Sequence, residues 1–437
     1  MPLIKFEQYQ DFIARIYPEL VDKENPQDTL SRTFTFQVTD SCNLNCSYCY
    51  QINKGKRRMS FETAKKAIDQ LLTGEKNMDS YINVKTSPAI IIDFIGGEPF
   101  LEIDLIEQIC DYFVRRATEL DHPWLTKHCF SICSNGVLYF DERVQRFLHK
   151  YRNNLSFSIT IDGNKELHDS CRLFYDGSPS YDIAVAGAKD WMDRGYEMGS
   201  KITIAPENIM HVYTAIIHMI SLGYIEIHAN CVYEEGWTGE HATELYYQLK
   251  KIADYIYDND LYESVYISLF EEDLFEKKSE SENENWCGGT GSMLSVDPDG
   301  KYFPCIRYME SSVGDQVEPM IIGDVDNGIA SCEKEKNCIA CLNAITRRSQ
   351  STDECFYCPI GSGCGWCSGY NYQTFGTPNK RATFICEMHK ARALANRYFW
   401  QRYHKKYNDG KEFKLNVPDE WALKIIPQEE LDMLKNL

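Results

Sequence analysis

The chain lacks any run of about 18 apolar residues, so no segment is long enough to cross a bilayer as a helix. It also lacks a basic surplus: 46 Lys and Arg stand against 65 Asp and Glu, for a formal charge of −19. Such a surface repels phosphate backbones and anionic membranes, because counterion release needs cations to drive it. No nucleic acid and no membrane is therefore expected as a partner. Residues 1–19 are amphipathic and mixed in charge, unlike a secretory signal, and a cytoplasmic location follows as the expectation. No solenoid-type repeat occurs. What is present is apolar bulk, 43% of 437 residues, enough for a large core and for two domains rather than one.

Cysteine is in excess, with eighteen in the chain. Without an export signal they do not read as disulfides, since the cytosolic thiol pool keeps such pairs reduced. Metal ligation is the natural alternative. Cys42, Cys46 and Cys49 form one tight group, and ten more lie between Cys287 and Cys386. Cys110, Cys129, Cys133, Cys171 and Cys231 lack short spacing and read as structural thiols.

From Arg32 to Tyr233 short β-rich runs alternate with amphipathic helical stretches, the rhythm of parallel strands joined by helical crossovers. Six strands are expected: Thr33–Val38, Ala89–Ile95, His128–Cys133, Leu155–Ile161, Lys201–Ala205 and Ile225–Val232. Six units are too few to close an eight-stranded barrel, so the fold class is α/β, a partial (β/α)6 TIM-like barrel with its working residues at strand C-terminal ends. The first helix is signalled by Ser60 as cap, Glu62 at its positive end and the apolar face Phe61, Ala64, Ala67, Ile68 and Leu71. The expected division is an N-terminal helical segment at 1–32, the barrel at 33–235, a bridge at 236–286, a Cys-rich domain at 287–390 and a helical tail at 391–437. The bridge holds a helix over Glu240–Tyr257 and the charged run Glu271–Glu284, a solvated loop by the usual reading of charge blocks. Met388–Tyr407 reads as a helix.

Cys42-Asn-Leu-Asn-Cys46-Ser-Tyr-Cys49 follows directly on the first strand, so three thiolates converge on one loop. A 4Fe-4S cluster normally takes four thiolates; three leave one iron open to a chelating ligand. Spacing alone also admits zinc with a distant fourth ligand. Gly96-Gly97-Glu98-Pro99 ends the second strand, Ser134-Asn135-Gly136 the third and Thr160-Ile161-Asp162-Gly163 the fourth, followed by His168, Asp169 and Arg172.

Together the C-x3-C-x2-C loop, with the aromatic Tyr48 before its last cysteine, and the GGEP segment resemble the radical S-adenosylmethionine superfamily. That resemblance implies a 4Fe-4S cluster on Cys42, Cys46 and Cys49, with S-adenosyl-L-methionine chelating the open iron. It implies Tyr48 against the adenine, and Gly96, Gly97, Glu98 and Pro99 around the methionyl ammonium. Asn135, Thr160 and Arg172 fall at further cofactor positions, Thr160 offering a hydroxyl to the ribose and Arg172 binding cofactor oxygens. Asp162 is read as a turn residue and His168 as packing or hydrogen-bonding locally.

Cys287-Gly-Gly-Thr-Gly through Asp297-Pro-Asp-Gly300 to Cys305 resembles the opening hairpin of a SPASM domain, a module for auxiliary iron-sulfur clusters. Its second half is matched by Cys355-x2-Cys358-x5-Cys364-x2-Cys367, then Cys386, one gap being a residue short. By that resemblance Cys355, Cys358, Cys364 and Cys386 hold one auxiliary cluster, and Cys287, Cys305 and Cys367 another, three 4Fe-4S clusters in all. The three-cysteine site either keeps an open iron for a substrate sulfur or takes a fourth ligand from Cys332, Cys338 and Cys341. A zinc ribbon also satisfies the C-terminal spacing, though not the motifs upstream.

SPASM enzymes are similar in modifying peptides or proteins. In anaerobic sulfatase maturases an Asp follows the Cys after the hairpin and another Cys lies six positions after the first; this chain has Ile306 and Met293 there. These departures favour a maturase that installs an intramolecular cross-link, a Cys thioether, in a ribosomally made precursor peptide. Carbon-carbon cross-linking, sulfatase-type Cys or Ser oxidation, and a non-catalytic metal-stabilised binding protein are the alternatives. The implied partners are the precursor peptide and a reductase such as flavodoxin or ferredoxin. Leader recognition is expected to use another surface or a separate leader-recognition protein, because the residues before the first strand make a helix or two but no winged-helix element.

Overall fold

The computed structural model describes residues 31–285 and 287–437. The N-terminal helical segment expected before the first strand lies outside the described residues.

The strands are β1 (Ser31–Thr39), β2 (Ala89–Gly96), β3 (His128–Ser134), β4 (Leu155–Ile159), β5 (Ser200–Ile204) and β6 (Glu226–Cys231), each within two residues of expectation. The helices after them are α1 (Phe61–Thr73), α2 (Ile103–Glu119), α3 (Glu142–Tyr151), α4 (Lys165–Cys171) with α5 (Tyr181–Asp193), and α6 (Val212–Ser221). Alternation builds the layers. In β1, Phe34, Phe36 and Val38 are fully buried under the helices, while Thr33, Thr35, Gln37 and Thr39 take the opposite face toward the barrel lumen. The capping expected of α1 is present: Ser60 Oγ accepts from Thr63 N at 3.0 Å, an interaction that contributes about 1 kcal/mol. Gly74 ends that helix in the left-handed region at φ 72°, its N–H bonded to Gln70 O at 2.8 Å.

The result is the six-unit partial barrel, carried on two parallel ladders. β1 to β4 pair in sequence order within a larger sheet, and β5 and β6 form a second sheet with β7 (Tyr266–Ile267). The segment read as a bridge therefore also supplies a strand to the barrel wall, and its helix α7 runs over Gly239–Asp258.

The C-terminal hairpin continues the barrel sheet. β8 (Met293–Val296) pairs parallel to β1, with Thr33 opposite Met293 and Phe36 opposite Val296, and β9 (Lys301–Phe303) returns antiparallel to it. The turn between them follows from Asp297: its Oδ1 accepts from Asp299 N and Lys301 N at 3.0 and 2.8 Å, and Gly300 adopts φ 84°. β10 (Gly323–Asp324) and β11 (Gly328–Ile329) close this edge. Next come α8 (Glu333–Asn343), α9 (Arg347–Gln350), α10 (Asp353–Phe356) and α11 (Ser368–Phe375). The 22-residue helix α12 (Cys386–Tyr407) leads to α13 (Asp419–Ala422) and α14 (Gln428–Asn436). Helix α12 lies on α7, where Asp254 accepts from Tyr398 Oη at 2.6 Å and from Arg402 Nη1 at 2.5 Å. No helix of the described residues is long and apolar enough to cross a membrane.

Candidate active site

Cys42, Cys46 and Cys49 leave the end of β1 on one partly buried loop, all as free thiols. The loop is fixed by its neighbours: Asn45 N–H donates to Leu173 O at 2.8 Å and Ser47 N–H to Cys171 O at 3.0 Å, both just past or at the end of α4. Burial pushes the Cys42 thiol up to about 11 and raises Cys46 despite the nearby Arg172. Metal binding here is thus coupled to proton release. Among the described residues no three His, Cys, Asp or Glu side chains converge on the spacing of one metal ion.

The GGEP segment holds this loop from below. Gly97 N–H donates to Thr39 O at 3.0 Å and Glu98 N–H to Ser41 O at 2.9 Å. A Cβ on Gly97 would lie 2.3 Å from Ser41 O, so glycine is required by the close approach of the cysteine loop itself. Glu98 is 1% exposed, and its carboxylate accepts from Ser134 Oγ at 2.8 Å, Asn135 N at 2.9 Å and Phe100 N at 3.1 Å. It ties the end of β2 to the end of β3. Pro99 is buried at the first turn after it. Asn135 passes the link on, donating from Nδ2 to Asn43 Oδ1 at 2.7 Å with Cys42 Sγ 3.9 Å away.

On the other side of the loop, Arg172 Nη1 is 3.8 Å from Cys46 Sγ and its Nε donates to Asp162 Oδ2 at 2.7 Å. Tyr48 donates its hydroxyl to the same oxygen, with the Arg172 guanidinium 5.3 Å from its ring centroid. Asp162, read from sequence as a turn residue, is 1% exposed and is the carboxylate of this triad. Its Oδ1 is buried without a hydrogen-bond partner. That orphaned acceptor, beside Tyr48 and between strand ends, fits a bound ligand carrying N–H or O–H donors. His168 behaves as expected, fully buried, with Nδ1 facing Asp162 N at 3.4 Å and Nε2 facing Ser180 Oγ at 3.1 Å. Burial lowers it to about 4, so its ring is neutral at physiological pH. Thr160 sits at the lumen with its hydroxyl 3.3 Å from Cys133 Sγ.

Inside the lumen lies a carboxylate that motif reading did not single out. Asp93 of β2 is in register with Thr35 of β1 and Ser131 of β3, and accepts from Thr35 Oγ1 at 3.2 Å. Its only sequence signal is one acid in the apolar run Ala89–Gly96. Burial raises it to about 6.

The C-terminal thiols fall into groups. Cys305 is influenced by Cys367 and Cys287, and Cys367 in turn by Cys287. Cys358 is influenced by Cys364 and Cys355, and Cys386 by the same two. Cys338 on α8 has Cys341 and Cys332 as thiol neighbours and also packs against the apolar cluster that holds Cys305. Arg307, near Cys305, faces the loop that follows Cys49, its guanidinium 5.9 Å from the ring centroids of both Tyr50 and Tyr370. Asn53 fastens the two regions together: its Nδ2 donates to Glu310 O at 3.1 Å and Val313 O at 2.9 Å.

Comparison with known proteins agrees with this geometry. Residues 31–169 match a family described as a 4Fe-4S single cluster domain. An uncharacterised protein of Methanocaldococcus jannaschii is 30% identical over 187 residues, 43% of this chain and 58% of its own length. A serine-type anaerobic sulfatase-maturating enzyme of Bacteroides thetaiotaomicron is 31% identical over 166 residues, 37% of each chain. The radical SAM cyclopropyl synthase TigE of Paramaledivibacter caminithermalis is 22% identical over 371 residues, 81% of this chain and 71% of that one. Among solved structures, anSMEcpe with bound AdoMet superposes with a TM-score of 0.63 at 19% identity, over 92% of this chain and 98% of its own. Streptococcus suis SuiB bound to its precursor peptide SuiA gives 0.55 at 12% identity, over 87% of this chain and 80% of that one.

A partial barrel with three thiols at its mouth and further thiol sets alongside defines an iron-sulfur protein of the α/β-barrel class. The chain resembles radical SAM enzymes: residues 31–169 match the 4Fe-4S single cluster domain, and most of its length aligns with a radical SAM cyclopropyl synthase. It spans 58% and 37% of the lengths of the first two relatives.

Proposed function

We propose that this chain is a radical S-adenosylmethionine peptide maturase that installs a Cys thioether in a precursor peptide. Cys42, Cys46 and Cys49 would hold the first 4Fe-4S group, with Tyr48, Asp162 and Arg172 beside its S-adenosylmethionine. When bound, that pair supplies an electron to the sulfonium and a 5'-deoxyadenosyl radical for hydrogen abstraction. The chain's own residues position and enclose. Glu98 and Asn135 brace the cysteine loop from the ends of β2 and β3. Asp162 holds the Arg172 guanidinium against Cys46.

The observation that carries the reading is that Cys287, Cys305 and Cys367 gather around Ser368, whose Oγ is 3.1 Å from Cys287 Sγ. Cys355, Cys358, Cys364 and Cys386 are enough for a closed auxiliary cluster; Cys287, Cys305 and Cys367 leave an iron for a substrate thiolate. Met293, in β8 beside Gly288, stands where sulfatase maturases carry a further cysteine. The kinship with SuiB, whose structure holds a precursor peptide, supports a peptide as substrate. A small reductase of the flavodoxin or ferredoxin type would deliver the electron.

The test is anaerobic incubation with a Cys-rich peptide encoded beside the gene, followed by mass spectrometry. A thioether shows as loss of two hydrogens per event with the Cys resistant to reduction and alkylation. A Cys still open to alkylation, with the same mass loss, would instead mean a carbon-carbon cross-link. Mass loss confined to one unlinked Cys or Ser would mean sulfatase-type oxidation.

A further inference from the structure

The sets that include Cys46, Cys305 and Cys364 each have a guanidinium nearby, but the contacts differ. At the first, Arg172 Nη1 is 3.8 Å from Cys46 Sγ. At the second, Arg307 is near Cys305 and Cys367, while Ser368 Oγ lies 3.1 Å from Cys287 Sγ and Tyr370 N–H donates to Cys367 Sγ at 3.4 Å. At the third, Arg381 Nη2 lies 2.9 Å from Cys364 Sγ and donates to Cys364 O, also at 2.9 Å. Arg381 is held there from several directions. Its guanidinium lies 4.4 Å from the Trp366 ring centroid, and its backbone N–H donates to Gln350 O at 3.1 Å. Gln350 is itself 5% exposed and bonded to Pro378 O at 2.8 Å.

The same set has further positive surroundings. Cys386 is the first residue of the 22-residue helix α12, where the peptide dipoles favour a thiolate. Lys390, one turn on, is buried, with its ammonium 2.7 Å from Glu387 and 4.3 Å from the Trp421 ring centroid. Hydrogen bonds and positive charge at the ligand sulfurs stabilise the reduced, more negative form of an iron-sulfur group and so raise its reduction potential.

We propose that Arg381 is a potential-setting residue: by donating to Cys364 Sγ it raises the reduction potential of the group on Cys355, Cys358, Cys364 and Cys386 above the value that group has without the guanidinium. This rests on the reading of that set as an iron-sulfur site. Arg381 acts through a ligand, not on substrate, so its signature is electrochemical. A strut that merely held the loop would leave the potential of an intact group where it was.

The experiment is an anaerobic redox titration of the reconstituted full chain, followed by electron paramagnetic resonance, for wild type, Arg381→Gln and Arg381→Lys. Iron and sulfide are counted in each. One midpoint is expected to move to more negative potential in Arg381→Gln and less far in Arg381→Lys, which keeps the charge but not the fork. The other midpoints and the iron content stay as in wild type. Unchanged midpoints at full iron content overturn the proposal, and so does loss of that group in both variants, which would make Arg381 a strut. A wild-type chain holding iron for one group alone overturns the earlier reading instead, before any variant is compared.

Discussion

Tyr48, inside the cysteine loop, donates its hydroxyl to Asp162 at the end of the fourth barrel unit, 114 residues away in sequence. The same carboxylate holds Arg172, so one buried acid fixes both the aromatic and the cation that flank Cys46. Asp162→Asn should therefore leave a buried guanidinium without its counter-charge, at a cost of about 3–5 kcal/mol. Tyr48→Phe removes one hydrogen bond and should cost about 1 kcal/mol. Chemical denaturation of the two variants checks the order. Equal losses would show that Asp162 is no more than the tyrosine's partner.

Gly97 has no room for a side chain. Its Cβ would lie 2.3 Å from Ser41 O and 2.8 Å from Asp40 O, both backbone atoms of the cysteine loop's entry. Gly97→Ala should push that loop away and cost on the order of 2 kcal/mol, the scale of an overpacked site. The more telling readout is iron: the variant should bind iron less well at the first site while the C-terminal sets load normally. Full iron content with wild-type unfolding would refute the packing argument.

Much of this arrangement was legible in the sequence because local patterns carry it. Alternating β-rich and amphipathic runs mark β1 to β6, and each motif sits at a strand end, where a barrel places its working residues. The assignment of Cys287, Cys305 and Cys367 to one set, and of Cys355, Cys358, Cys364 and Cys386 to another, comes from the resemblance to SPASM domains alone. What stayed hidden depends on contacts distant in sequence. Nothing local distinguishes Asp162 from Asp169 as the acid that meets Arg172. Nor does spacing reveal that β8 docks parallel on β1, or that Tyr266–Ile267 adds a strand beside β6. GGEP was legible as a motif, but the reason for Gly97 was not. A glycine that admits a ligand and one that admits a neighbouring loop look alike until the loop is placed.

Asp93 gives the fold a pH dependence. Burial in the lumen raises its carboxyl from 3.8 to about 6, so between these values the folded chain binds a proton that the unfolded chain has lost. Stability contributed by the protonated form is present below about 4 and falls away as pH rises through about 6. Asp93→Asn keeps a neutral group of the same shape beside Thr35. It should raise the thermal midpoint relative to wild type near pH 7.5 and do so much less near pH 5. Parallel curves across that range would mean that the carboxylate is already well solvated in the folded chain.

The two thiol sets nearest the lumen should fail in different ways. Cys42→Ala removes a thiol from the loop beside Tyr48 and Arg172, so reductive release of 5'-deoxyadenosine should cease along with product formation. Cys305 is buried, with Cys287 and Cys367 as thiol neighbours. Cys305→Ala leaves the first loop and its bracing by Glu98 and Asn135 intact. It should spare slow cleavage of S-adenosylmethionine while abolishing the cross-linked peptide. The two readouts, 5'-deoxyadenosine by chromatography and peptide mass in the same anaerobic reaction, separate generating the radical from using it. Wild-type product formation in Cys305→Ala would refute a substrate-linked role for the second set. Loss of both activities together would place Cys305 in support of the first site.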